Sequence, residues 1–553
     1  MNLEKDYELL ANTIFPDIDK DIEYYEKLYP ERNLKEGEKV TRFAPSPTGF
    51  LHIGSFMQAL IDYMYAKNNN GIFYLRNEDT DKQREVNNAF NIVFNSLKYY
   101  NILPDEYEIN DVTVGNYGPY TQSEREKIYH TFIKHLIKIG RAYPCFCTKD
   151  DLQNMREMQE KEKIRPGYYE KYAKCRNISP KEAIERIKNG EEYTIRFKSM
   201  GDYEKKFEFN DLAKGTVMLP ENDQDAIIMK STNPLPTYHF AHVVDDHLMR
   251  TTHVVRGEEW LSSVPLHLEL FKAFNFKAPK YIHTPLILKK DGDIVRKISK
   301  RKDPEASMDY YIEKGYPVEA IVESVMTIIN SNYEEWHTAN PDKKFYDFTY
   351  SPKKMSSSGA FFDLEKLNNI SKNIISHMTK EELYEKAIKW SEKYDNKLFE
   401  IINSNKEYFK NIINIEREIK KPRKDIANYS EILNNIWYMY DELFENINYN
   451  FEGYTKEQVK EILENYINIY DDKDEQDIWF NKIKDLTDKL GYCSNMKEYK
   501  ENKEQYKGSV ADVSNIIRIA ITSKNMSPNL YDIMKLLGKE RVIKRLENCI
   551  KEI

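Results

Sequence analysis

The sequence predicts an α/β core that is split by a mixed insertion and followed by an all-helical C-terminal part. Three observations predict it. A strand-like run, a turn rich in Pro and Gly and a helical apolar repeat succeed one another over residues 40–64. Charged, mostly helical sequence then intervenes before further strand-like runs return near residue 225. Beyond residue 320 nearly every stretch carries the apolar period of an amphipathic helix.

Residues 1–40 read as one or two short polar helices, the second ending by Pro30. Residues 40–44 form a short strand, Pro45, Pro47 and Gly49 a turn, and Phe56, Met57, Leu60, Ile61 and Met64 the buried stripe of a helix. An Asn-rich turn at 68–71 leads into a second strand, IFYLRNED, which completes a β-α-β unit of the nucleotide-binding kind. From about Thr121 to Asp225 the chain reads as an insertion, helical and charged, with one strand near Ile195. DAIIMKS, PTYHFAHVVDD and THVVRGEEW then read as strands, and Asp291-Gly292 as the tip of a hairpin. In the C-terminal part Thr379 with Glu382 and Thr455 with Gln458 are capping boxes, and Val459, Ile462, Leu463, Tyr466 and Tyr470 form one apolar stripe. Ser527-Pro528 is expected to open a late helix and Gly538 to close it.

At 553 residues the chain has room for three or four domains. Lys plus Arg number 83 against 91 Asp plus Glu, a net charge of −8, which excludes a globally basic nucleic-acid protein but not a locally basic groove. Tyr (41) and Phe (25) supply large packing units, so the charged fraction of 31% does not imply disorder. With no apolar run long enough to span a bilayer and an acidic start that lacks a signal-peptide core, a soluble, cytoplasmic protein is expected, with no membrane partner. Five cysteines exclude a disulfide framework.

Two segments carry chemistry. His52, Gly54 and Ser55 stand where a strand ends and a helix begins, a place where orphan N–H groups favour phosphate. His52 alone would more often be structural. Between Lys289 and Lys302, Lys289, Lys290, Arg296, Lys297, Lys300, Arg301 and Lys302 outweigh Asp291 and Asp293. Such a run usually lies on a solvated face, but a hairpin before it and the small Ser299 between two lysines suit a loop that closes over a polyphosphate. His239, His242, Asp245, Asp246 and His247 invite a metal assignment, which a strand would defeat by scattering them over two faces. Cys145, Cys147 and Cys175 are the better zinc candidates, beside the alternative of plain buried cysteines.

Together these motifs resemble the class I aminoacyl-tRNA synthetases, and among them the bacterial-type glutamyl family. Residues 52–55, HIGS, resemble that class's HIGH motif with Ser55 for its last His, and 297–301, KISKR, resemble its KMSKS loop. RFAPSPTG (42–49), EDTD (78–81), PTYHFAHVVDD (236–246) and VRGEEW (255–260) are similar to the same family. Residues 354–358, KMSSS, look closer by letter but lack the second lysine, and read as a surface turn or a backbone contact to tRNA.

The resemblance implies an N-terminal helical extension (1–40), a Rossmann-type catalytic domain in two halves (41–121 and 225–300) around an acceptor-end-binding insertion (122–224), a stem-contact helical domain (301–378) and an α-helical anticodon-binding domain (379–553). It implies ATP-dependent activation of L-glutamate and transfer to tRNA(Glu), with tRNA needed for activation, and leaves open whether tRNA(Gln) is charged too. ATP would meet Thr48, His52, Gly54, Lys297, Ser299 and Lys300, with His52, Lys297 and Lys300 catalytic alongside Mg²⁺. Glutamate would meet Arg42, Ala44, Ser46, Glu78, Tyr238 and Arg256, with Arg84 completing the site and His242 where the family often has Asn. Some members hold zinc with three Cys and a Tyr, which Tyr168, Tyr169 and Tyr172 bring to mind at different spacing. A monomer is expected. A silent, synthetase-like RNA-binding protein is the rival reading, and the presence of Arg42, His52, Glu78, Arg256, Lys297 and Lys300 speaks against it.

Overall fold

Two pairs of short parallel strands carry the site: β1 (Val40–Phe43) beside β2 (Ile72–Leu75), and β3 (His253–Gly257) beside β4 (Lys280–Thr284). The computed structural model describes residues 3–47, 49–80, 88–299, 301–355 and 359–553. Thr252 N donates to Val40 O at 3.0 Å, so the strands follow the order β2-β1-β3-β4. β1 and β3 are buried along their whole length, which is why their sequences show no alternation of polar and apolar residues. A Cβ at Gly71 would lie 1.9 Å from Lys39 O, so only glycine lets the turn before β2 pass this close to the start of β1.

Four helices frame the strands: α1 (Ile53–Lys67), α2 (Glu126–Lys138), α3 (Tyr238–Leu248) and α4 (Val264–Ala273). α3 corrects the sequence reading, which made PTYHFAHVVDD a strand. Residues 240–246 of α3 are all buried, so no polar face marks the helical period, and the β-branched pair Val243-Val244 imitates a strand.

Helices Leu3–Ile14 and Ile22–Leu28 of the N-terminal extension are tied down rather than loose. Lys134 of α2 donates to Phe15 O and Ile18 O at 2.9 and 2.7 Å, and Arg32 forms a two-pronged pair with Glu106 at 2.7 and 2.8 Å. The insertion is a four-stranded antiparallel sheet, in the order Asn233–Pro236, Ile227–Lys230, Thr194–Phe197, Ala142–Cys145, with a separate hairpin of Lys206–Asp211 and Gly215–Pro220. Its last two strands lie beyond residue 224. The expected hairpin at Asp291-Gly292 pairs Ile287–Asp291 with Ile294–Lys297, and Gly292 turns it with φ +60°.

The chain divides into two compact units, residues 1–311 with 322–363, and residues 312–321 with 364–553. The second is built from helices such as Lys380–Tyr394, Lys456–Ile469, Val510–Thr522 and Lys539–Glu552. Both expected capping boxes are present, at Thr379 with Glu382 and Thr455 with Gln458. Val459, Ile462, Leu463 and Tyr466 face its core, where the Trp479 indole donates to Tyr466 Oη at 2.7 Å. Tyr429, Tyr438 and Tyr440 are buried there and Trp437 packs against them. The late helix is Leu530–Leu537, capped by Asn529 rather than Ser527: Asn529 accepts from Tyr531 N and Asp532 N, while Ser527 Oγ accepts from Arg518. Among the described residues no helix is long and apolar enough to cross a membrane.

Candidate active site

The carboxyl ends of β1, β2 and β3 open into a cavity of about 1170 Å³. Arg42, Ala44, Ser46, His52, Glu78, Tyr238 and Arg256 line it together, although they span more than 200 positions of sequence. β1 supplies Arg42, and the Pro-rich turn supplies Ala44 and Ser46. Glu78 follows β2, held by its N–H on Pro45 O at 3.2 Å. Arg256 comes from β3 and Tyr238 from the first turn of α3.

His52 caps α1. Its Nδ1 accepts from Gly54 N at 3.0 Å, so in the neutral ring the proton sits on Nε2, which is then the donor. Gly54 is the second residue of that helix; among the described residues outside its own helix backbone and its chain neighbours, a Cβ there would meet the ring of His52, 3.3 Å from Nδ1.

The charged lining is set by buried pairs. Arg42 Nε lies 3.2 Å from Asp246 Oδ1 and its Nη1 donates to Val255 O at 3.2 Å. Burial works against the charged guanidinium of Arg42, but the carboxylate of Asp246 together with the other acidic groups around it leaves its pKa raised. Arg76 bridges Asp246 at 2.7 Å and Glu78 at 2.8 Å. Burial pushes the Glu78 carboxyl up, an effect that Arg76 and Arg42 only partly offset. Such a carboxylate gains from a cationic partner.

His242 is fully buried beneath Tyr238, with which it stacks at 5.4 Å, and is not among the residues lining the cavity. Its Nδ1 bonds Asp246 at 2.8 Å, one turn away on α3, and its Nε2 has no hydrogen-bond partner among the described residues. Trp260 is half-exposed and lines the cavity, 4.4 Å from the ring of Tyr238. Arg76, Asp246 and Trp260 are the site residues that sequence reasoning did not assign. An arginine placed between a buried strand and an acidic site residue was the available signal for Arg76.

No described residue of the basic loop lines the cavity. Asp303 binds Arg296 through two bonds of 2.7 and 2.8 Å, Lys289 at 3.3 Å and Ser299 N at 2.9 Å. Arg296 and Lys289 thus anchor the loop, and Lys297 is exposed. Neither Lys297 nor Ser299 lines the cavity. Thr48, Arg84 and Lys300, like residues 356–358 of the KMSSS run, lie outside the described residues.

Away from the cavity, one ligand atom each from Cys145, Cys147 and Cys175 lies within 4.8 Å of the others, the one metal-ligating group of this kind among the described residues. Tyr168 Oη stands 3.2 Å from Cys145 Sγ and 3.3 Å from Cys147 Sγ. Hydrogen bonds from Cys147 and Cys175 hold the Cys145 thiol well below the usual thiol range. These thiols could hold a metal ion. His239, His242, Asp245, Asp246 and His247 make no such group. The reason differs from the expected one, since they stand on a helix and their carboxylates are taken by arginines.

A family model described as tRNA synthetases class I (E and Q), catalytic domain, matches residues 38–369, and one described as an anticodon binding domain matches 382–550. The chain is 47% identical over 545 residues to a glutamate–tRNA ligase of Clostridium perfringens, covering 98% of this chain and 100% of the relative. It is 45% identical over 546 residues to that of Acetivibrio thermocellus, covering 99% and 100%. A crystal structure of a glutamate tRNA ligase from Elizabethkingia meningosepticum in complex with its amino acid superposes with a TM-score of 0.70 at 27% identity, covering 93% of this chain and 99% of that one. With the catalytic fold, the cavity and a full-length likeness in agreement, the chain belongs to the glutamate–tRNA ligases of the class I aminoacyl-tRNA synthetase family.

Proposed function

We propose that the protein joins L-glutamate to tRNA(Glu) in two steps at this cavity. The α-carboxylate of glutamate attacks the α-phosphorus of ATP and expels pyrophosphate, and the glutamyl group then passes to a hydroxyl of the terminal adenosine. The observation that carries the reading is the convergence of two guanidinium groups, Arg42 and Arg256, and one carboxylate, Glu78, in the cavity that also holds His52. A substrate with two carboxylates and one ammonium asks for that inventory.

In this reading Arg42 and Arg256 bind carboxylate, Glu78 binds the ammonium, and Ala44, Ser46 and Tyr238 shape the pocket. His242 acts from behind Tyr238. His52 donates through Nε2 to a phosphoryl oxygen of magnesium-bound ATP beside Thr48 and the N–H groups at Gly54. Lys297, Ser299 and Lys300 meet the leaving pyrophosphate when the basic loop closes, and act by stabilising charge rather than by covalent chemistry.

The thiols of Cys145, Cys147 and Cys175, with Tyr168 Oη, have the donor chemistry of a structural zinc site, and zinc would fix the insertion near its first strand. The protein would work as a cytoplasmic monomer. Glutamate-dependent exchange between ATP and pyrophosphate with tRNA(Glu) present tests the reading: exchange is expected with glutamate and not with aspartate or glutamine, and its absence would overturn the assignment.

A further inference from the structure

We propose that His283 and His267 are positioning residues for Arg256: two neutral imidazoles, each turned acceptor-side inward by a second partner, fix the guanidinium that receives a glutamate carboxylate. The inference rests on the proposed role of Arg256 as a substrate ligand.

Arg256 Nε donates to His283 Nε2 at 3.1 Å, and Nη1 lies 3.0 Å from His267 Nδ1. A guanidinium has only N–H donors, so each of those ring nitrogens must carry a lone pair. The proton of each neutral ring is then on its far side, and both far sides have an acceptor. His283 Nδ1 lies 2.7 Å from Asp211 Oδ2, and His267 Nε2 lies 2.9 Å from His239 Nδ1. Donors and acceptors alternate from Asp211 to His239 without conflict. His267 and His283 are fully buried, and burial pushes both below the usual imidazole pKa, which keeps the lone pairs available. Beyond these two bonds the guanidinium lies over the ring of Tyr281 at 4.7 Å, and its one further hydrogen bond among the described residues is a 3.5 Å contact from Nη2 to Trp260 O, so N–H groups remain for a ligand.

Asp211 makes the arrangement testable. Its Oδ1 accepts from Ala213 N and Lys214 N at 2.9 and 2.8 Å, and its Oδ2 accepts from the backbone N–H of His283 at 3.2 Å besides facing the ring, so an Asn that keeps its oxygen toward Ala213 and Lys214 sets its amide against both groups of His283. The amide nitrogen of Asp211→Asn then faces His283 Nδ1, moves the ring proton to Nε2 and sets N–H against the N–H of Arg256.

The experiment is steady-state pyrophosphate exchange with tRNA(Glu), reading KM for glutamate against KM for ATP. Asp211→Asn and His283→Met are expected to raise the glutamate KM about ten-fold or more, a loss of about 1.4 kcal/mol, with the ATP KM unchanged. His283→Gln, whose Oε1 can accept from Arg256, is expected to stay within about three-fold of the parent. If Asp211→Asn does not fold, the two His283 variants decide. Equal KM values in His283→Gln and His283→Met, or parallel losses for glutamate and ATP, would overturn the inference. Arg256→Ala is the control: an unchanged glutamate KM there would refute the role of Arg256 itself, whereas a raised KM with normal Asp211→Asn and His283→Met enzymes would refute only the positioning role.

Discussion

Arg76 and Asp246 meet with neither side chain reaching solvent, Nη1 standing 2.7 Å from Oδ1. The pair is the hub beneath the cavity, because Asp246 also holds Arg42 and His242 while Arg76 also holds Glu78. Buried charges of this kind bring little net stability over an apolar core, but breaking one side is costly. Their position beneath Arg42 and Glu78 ties them to the proposed glutamate site: these two cavity-lining groups are braced by one ion-pair network.

Asp246→Asn should therefore lower stability by about 3–5 kcal/mol, since it leaves Arg42 and Arg76 short of a counter-charge. It should also raise the glutamate KM more than the ATP KM, because Arg42 loses its anchor. Denaturant titration beside exchange kinetics checks both. An unchanged midpoint would mean that the network relaxes around the loss.

Lys297→Ala should slow pyrophosphate exchange by about 10²–10³-fold, the usual cost of deleting one preorganised charge from a transition state. The side chain is exposed, so the thermal midpoint should not move. A normal rate would assign the leaving-group role to other cations of the loop.

His242 gives the protein an acid limit. Burial lowers its pKa to about 4, against 6.5 for the ordinary group, and Asp246 only partly opposes that shift. The folded state thus binds fewer protons than the unfolded state between those values, so the contribution of His242 is complete above pH 6.5 and drains away as the pH falls toward 4. His242→Asn should flatten the fall in thermal midpoint between pH 7 and 5. Other buried histidines, such as His253, lowered to about 3, should leave a residual slope in the variant. Identical slopes in parent and variant would show that His242 does not titrate in this way.

If zinc occupies the thiol cluster, the purified protein should carry about one zinc per chain by elemental analysis. Cys145→Ser and Cys147→Ser should each lose it and lower the thermal midpoint, and a strong chelator should do the same to the parent. A metal-free protein whose midpoint ignores the chelator would leave the cysteines as packing residues.

The β-α-β unit and the placement of His52 were legible because β1 ends in a proline-marked turn and the large apolar residues of α1, Phe56, Met57, Leu60, Ile61 and Met64, repeat at helical spacing. The capping boxes at Thr379 and Thr455 were legible because their signal lies within four residues. α3 was not, because a helix buried on nearly every side loses its period, and the metal argument built on its being a strand fell with it. Ser527 looked like a cap, but its hydroxyl serves Arg518 and Asn529 caps instead. The support of Arg256 by Asp211, His267 and His283 had no sequence signal at all, since a hairpin of the insertion, α4 and β4 bring it together only in space.

Charging of purified tRNA(Glu) and tRNA(Gln) with labelled glutamate, side by side, tests the central claim most directly. The account predicts ATP-dependent attachment of glutamate to tRNA(Glu), reduced sharply in Arg42→Ala and Glu78→Ala, and the tRNA(Gln) arm defines the range of substrates. Failure of the parent protein to charge tRNA(Glu), or full charging by both variants, would contradict it.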